Sequence, residues 1–215
     1  MTRGQQTVLT LSLIRSAQVK EHMFEIMSFL SEDERRRALR YAREEDRLLS
    51  AGGAYLVRRK VGKDAEIVRT ESGKPYVRDG GIRFNLSHSE GLAIAVFGTL
   101  NEVGADVERI REGFDGLRPH VFTPPEQESG LDFFTLFTAK ESLAKAAGTG
   151  LLPSPKDFPA LPPDGPVFFR ERLYYRHTLT FEGYRISVCQ EHTDLTLQKE
   201  ICHEPSRPNL SAEPV

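Results

Sequence analysis

The chain has 215 residues, 39% hydrophobic and 28% charged, and its 29 Lys and Arg against 31 Asp and Glu leave a net charge of −2. That balance suits a globular protein with a sizeable core and excludes the broad positive field of a nucleic-acid groove or an anionic-membrane binder, so any anionic ligand must be held locally. Cys189 and Cys202 are too few for a disulfide framework, and no basic flank with a long apolar run opens the chain, which is the pattern of a cytoplasmic protein.

In chain order, Thr7 to Ile14 alternates Leu9, Leu11 and Leu13 with Thr10 and Ser12, which predicts a half-buried strand too short to span a bilayer. Ser31 followed by Glu32-Asp33-Glu34 is a helix start: a capping hydroxyl, then acidic residues in the first turn. Arg35, Arg36, Arg37, Arg40 and Arg43 make this helix basic. A second helix is predicted from Glu44 to about Val61, with Leu48, Leu49, Tyr55 and Leu56 inward. The pair Gly52-Gly53 inside it lowers propensity by up to about 2 kcal/mol relative to two alanines. Close packing or a break would each explain that pair. Gly73-Lys74-Pro75 is a turn leading into extended chain, and Lys74 is expected to point outward.

Ile82 to Leu86 and Leu92 to Phe97 read as paired strands joined by a polar connection, Ser87-His88-Ser89-Glu90-Gly91. Leu92 to Phe97 is apolar on both faces and so central. Glu102 to Ile110 is a strand, Phe122-Thr123-Pro124-Pro125-Glu126 a helix entry with proline in the first turn, and about Leu131 to Ala147 the second main helix. Leu136, Ala139, Leu143 and Ala147 form its apolar stripe, and Gly148 with Thr149-Gly150 stops it. After a proline-rich loop from Leu152 to Pro166 come strands at Val167 to Phe169, Tyr174 to Phe181 and Tyr184 to Gln190, the last two a hairpin around Glu182-Gly183. The polar stretch from Glu204 to Val215 reads as a flexible tail.

Two short islands carry the chemistry. Asp106 and Glu108 lie two apart on one strand face, about 7 Å apart along the chain, and two like charges on one face call for a cation. In Lys140-Glu141-Ser142-Leu143-Ala144-Lys145, Glu141 and Lys145 share a helix face. Together the islands have the composition of a divalent-metal and polyphosphate site. Taken singly, each is also an ordinary solvated pair. Cys189, His192, Cys202 and His203 have no spacing of a common structural zinc site.

The ordered set Gly73-Lys74-Pro75, Phe84-Asn85-Leu86-Ser87-His88-Ser89, Gly104-Ala105-Asp106-Val107-Glu108, Phe122-Thr123-Pro124-Pro125-Glu126 and Phe137-Thr138-Ala139-Lys140-Glu141-Ser142-Leu143-Ala144-Lys145 resembles the surfactin-type 4′-phosphopantetheinyl transferases, over roughly Ser28 to Cys189. One departure is Phe137 where the family usually has tryptophan; it keeps apolar bulk without the indole N–H donor. The resemblance implies an α+β, pseudo-duplicated bilobal fold with the active site between the halves. Residues 1–100 would be the coenzyme-contacting half, 101–203 the half with metal ligands and carrier docking, and 204–215 the tail.

It implies transfer of the phosphopantetheine arm of coenzyme A to a serine of an acyl or peptidyl carrier protein, with Mg²⁺, releasing adenosine 3′,5′-bisphosphate from a monomer. Asp106, Glu108 and Glu141 would hold the metal. Glu141 and Lys145 would be catalytic, Glu141 as base, directly or through a metal-bound water. Arg37, Arg47, Lys74, Ser87, His88 and Lys145 would contact the coenzyme, with the carrier docking on Gly148 to Pro159. A non-catalytic coenzyme A-binding relative and a metal-dependent nucleotide pyrophosphohydrolase are the alternatives.

Overall fold

The computed structural model describes residues 7–78, 80–99, 101–149, 154–191 and 195–201. The architecture is α+β, with two four-stranded sheets and helices on their outer faces. The first lobe runs β1 (Thr7–Arg15), α1 (Ser16–Glu21), α2 (Met23–Phe29), α3 (Glu32–Leu39), α4 (Glu44–Val61), β2 (Ile67–Arg69), β3 (Pro75–Val77), β4 (Arg83–Ser89) and β5 (Leu92–Gly98). The second runs β6 (Val103–Arg109), α5 (Arg118–Val121), α6 (Pro124–Gln127), α7 (Phe133–Ala147), β7 (Gly165–Phe169), β8 (Arg172–Phe181) and β9 (Tyr184–Glu191). The chain then returns, and β10 (Leu195–Ile201) pairs parallel with β1. The strand orders are β10-β1-β5-β4 and β6-β9-β8-β7.

Local chemistry accounts for the helices that frame the site. Ser31 caps α3 through a reciprocal box with Glu34, each side chain bonding the other's backbone N–H. Helix α4 continues unbroken through Gly52, because the two neighbouring elements need that space. A Cβ there would lie 2.8 Å from Val19 Cγ2 and 2.9 Å from Ile14 Cγ2. Asp132 caps α7, and Gly148 ends it in the left-handed conformation. The inner faces of the two sheets share one apolar core: Leu11, Leu92 and Ile94 on one side meet Val107, Tyr184 and Ile186 on the other. The lobes are therefore packed together and not merely tethered. No helix among the described residues is long and apolar enough to cross a membrane.

Two expectations change. Ser87, His88 and Ser89 are strand residues of β4, and the β4–β5 connection is only Glu90-Gly91. Both turn residues have positive φ, 27° and 84°, which is the backbone sense of a tight two-residue hairpin. Polar side chains in an edge strand had the look of a loop. Lys74, expected outward, is instead drawn in: its side chain is 12% exposed because Glu102 and the Lys145 carbonyl receive its ammonium.

Leu100, Asp79, residues 150–153 and the tail from Cys202 lie outside the described residues, as does His192. The expected lobe boundary at Leu100-Asn101, the central part of the proposed docking segment and most of the considered zinc set therefore fall partly or wholly there.

Candidate active site

Strand alternation builds the seam between lobes. On β4, Asn85, Ser87 and Ser89 face β6, while Leu86 and His88 face the opposite way, toward a cavity shared with α3 and α4. The β4 and β6 main chains do not pair. Their side chains close the gap instead: Asn85 Oδ1 accepts from Ala105 N at 3.0 Å, Ser87 Oγ from Val107 N at 3.4 Å and Ser89 Oγ from Arg109 N at 3.2 Å. Three N–H groups of an edge strand are thereby satisfied without another strand. Asn85 and Ala105 are both buried, so Asn85→Ala strands that N–H without a partner. We expect a loss of about 1–3 kcal/mol, measured by urea unfolding; a change near zero would show that the stitch is dispensable.

The same serines reach the acidic side chains. Ser87 donates to Asp106 Oδ1 at 2.9 Å and Ser89 to Glu108 Oε2 at 2.9 Å. From α7, Lys145 Nζ donates to Asp106 Oδ1 at 2.6 Å and to Ser87 Oγ at 3.1 Å. Asp106 is 4% exposed, and its second oxygen, Oδ2, is buried with no hydrogen-bond partner. The Glu141 side chain has no hydrogen-bond partner among the described residues. Burial first and the Asp106 charge second push the Glu141 carboxyl above its ordinary pKa. Glu108 is raised for the same two reasons in the same order, with the Ser89 bond opposing. The Asp106 charge thus acts on both glutamates, opposed by Lys145 at each and by Arg111 at Glu108.

The donors fit a hard divalent cation: all are oxygens, and the orphaned Asp106 Oδ2 has lone pairs to offer. No three carboxyl, imidazole or thiol groups among the described residues already converge closely enough to hold an ion.

Two recesses flank β4. One, about 220 Å³, is lined by Arg37, Tyr41, Ser50, Arg69, Ser87 and His88 among others. The other, about 290 Å³, is lined by Lys74, Asn85, Leu86, Glu141 and Lys145 among others. His88 is exposed at the rim of the first, and surrounding protein, then Lys145, lowers its pKa, leaving a neutral ring with one N–H to donate at pH 7. Arg47 does not line either recess; it donates to the Tyr41 carbonyl at 3.3 Å.

Arg69 is a cation that sequence reasoning missed. It enters from the short strand β2, and burial and then the nearby Arg37 charge lower its pKa. Its signal was its closeness in sequence to Gly73-Lys74-Pro75, whose turn it closes by donating to the Gly73 carbonyl at 2.5 Å.

Lys140, beside Glu141 in sequence, faces away and is 2% exposed, with Nζ 2.8 Å from Glu126 and 2.5 Å from the Phe158 carbonyl. Neighbouring helix positions point about 100° apart, so one of the two could reach the cleft and the other the core. Phe137 stacks on Phe133 with centroids 5.7 Å apart, inside a phenylalanine cluster. Its aromatic bulk is used in packing.

Residues 102–189 match the family model described as the 4′-phosphopantetheinyl transferase superfamily. The chain is similar to the 4′-phosphopantetheinyl transferase ffp of Bacillus subtilis, 28% identical over 200 residues covering 81% of this chain and 88% of the relative. It is similar to the 4′-phosphopantetheinyl transferase gsp of Aneurinibacillus migulanus, 28% identical with 83% and 84% covered. The 4′-phosphopantetheinyl transferase Sfp of Bacillus subtilis strain 168 is 27% identical, with 78% and 85% covered.

Proposed function

We propose that this chain is a 4′-phosphopantetheinyl transferase, a reading supported by the family-model match and the curated relatives, and that it moves the phosphopantetheine arm of coenzyme A onto a serine of an acyl or peptidyl carrier protein and releases adenosine 3′,5′-bisphosphate. The observation that carries the reading is the Asp106 carboxylate, bonded to Lys145 and Ser87 through one oxygen and left unpartnered at the other, in a seam flanked by two recesses.

In the transfer, the serine Oγ forms a bond to a diphosphate phosphorus, the bridging P–O bond to the nucleotide breaks, and the hydroxyl proton leaves to a base. Negative charge grows on the departing oxygens, so positioned cations do most of the work. Lys145 supplies one beside Asp106. Arg37 and His88, with Arg69, line the recess suited to the rest of the anionic coenzyme. Glu141, whose carboxylate stands close enough to Asp106 and Lys145 to feel both charges, is the base, directly or through one water. Asp106, Glu108 and Glu141 would hold Mg²⁺, which supplies electrophilic stabilisation of the diphosphate when bound. A single chain working in the cytoplasm, where coenzyme A is used, completes the proposal.

The test is incubation of the protein with coenzyme A, Mg²⁺ and a panel of acyl and peptidyl carrier domains. The carrier serine should gain the mass of a phosphopantetheine group, and chelation should stop the gain. Coenzyme A binding with every carrier left unmodified would overturn the transferase reading, and adenosine bisphosphate release without carrier would replace it with a hydrolase.

A further inference from the structure

Lys74 is the residue whose place in the structure departs furthest from what its motif suggests. The hairpin turn pins its backbone: its N–H donates to Thr70 Oγ1 at 3.0 Å, and its carbonyl accepts from Thr70 N at 2.9 Å. From there the side chain crosses to the other lobe. Nζ lies 2.6 Å from Glu102 Oε2 and 3.0 Å from the backbone oxygen of Lys145. Arg83 Nε, 3.5 Å from Glu102 Oε1, steadies the other carboxylate oxygen.

Two features make this contact more than a surface ion pair. The Lys145 carbonyl sits in the last turn of α7, where helix carbonyls lack partners inside the helix and a cation is favoured by the helix dipole. Lys145 is also the residue whose own ammonium meets Asp106 and Ser87. Glu102 stands two residues before Gly104, where β6 touches the backbone of α7.

We propose that Glu102 is a positioning residue: through Lys74 it latches the C-terminal turn of α7 to the first lobe and so sets Lys145 against Asp106. Two of the three N–H donors of Lys74 are thereby taken within the protein. The inference rests on the transferase reading for its functional readout. A site assembled from both lobes needs its charges held to a fraction of an ångström, and a charged hydrogen bond across the seam is a direct way to do it.

The experiment uses Glu102→Ala, Lys74→Met and the double variant of the full chain. Coenzyme A affinity is measured by calorimetry, and kcat and KM are measured with a modified carrier as product. A latch makes the two single variants alike. Each should lower kcat about tenfold, the scale of a lost hydrogen bond to a charged group, with coenzyme affinity within about twofold of wild type and the double variant no worse than either single.

If Lys74 were a phosphate ligand, the singles would diverge, since Glu102→Ala would free it and tighten coenzyme binding while Lys74→Met would weaken binding. That divergence overturns the proposal, as does an unchanged kcat in both singles. Failure of wild-type protein to modify any carrier counts against the transferase reading alone. In that event the latch stands or falls on thermal unfolding, where additive losses in the double variant would refute it.

Discussion

Glu108→Gln is expected to abolish transfer, by at least about 10²–10³-fold in kcat, the range for removing one preorganised charge-stabilising group, while leaving the fold intact. The two side chains have nearly the same shape, and the amide oxygen of the replacement can still accept from Ser89, as Glu108 Oε2 does at 2.9 Å. Stability should move opposite to activity. Burial and the Asp106 charge hold the Glu108 carboxyl above its ordinary pKa. In that case the native state binds the proton more tightly than the unfolded chain, and stability falls as pH rises through and above the carboxylate range. Without added metal, the variant should therefore melt no lower than wild type at pH 7 and lose part of the wild-type gain on acidification. Differential scanning calorimetry from pH 4 to 8, beside the carrier assay, reads both. Unfolding of the variant at ordinary temperature, or retained turnover, would remove Glu108 from the charge-bearing site.

Much of this arrangement was legible because it is local. Ser31 with Glu34, the alternation that puts Asp106 and Glu108 on one face, and the α7 stripe closed by Gly148 are short-range patterns with fixed geometric meaning, and the elements lie where those patterns put them. The less legible features join distant segments. The short helices α1 and α2 have too few turns for a clear period, and β10 is placed by pairing with β1, nearly the whole chain away. Ser87 and Ser89 bond across a seam that has no sequence period, so their polarity suggested a loop when it was in fact the substitute for a strand ladder. Lys74 was misplaced because the rule for the residue before proline constrains backbone and says nothing of where a long side chain finds a carboxylate. Within the candidate site, residue types and order were readable from sequence. Which donor Asp106 uses, which oxygen it leaves open and which cation fills the first recess required three dimensions.

Gly104→Ala should be the most damaging single methyl in the chain's second lobe. Glycine inside a strand often marks a close backbone approach, and this one does. A Cβ at Gly104 would lie 2.1 Å from the Ser142 carbonyl oxygen, 2.3 Å from Ala146 N and 3.0 Å from Ala146 Cα. All three are backbone atoms of α7, so no side chain can rotate aside, and the helix must lift from β6. Overpacking a core that can adjust costs about 1–3 kcal/mol; where the obstruction is main chain, the loss should reach or exceed the top of that range. The same displacement carries Glu141 and Lys145 away from Asp106, because all three are fixed through this contact and the Lys145 bond at 2.6 Å. A shift of about 1 Å can cost about 10²-fold in rate, so whatever fraction of the variant folds should still be nearly inactive. Urea unfolding gives the stability loss, and carrier modification normalised to folded protein gives the rate. Near-wild-type stability with normal transfer would mean that β6 and α7 are not in this contact in solution, and the placement of Glu141 and Lys145 beside Asp106 would go with it.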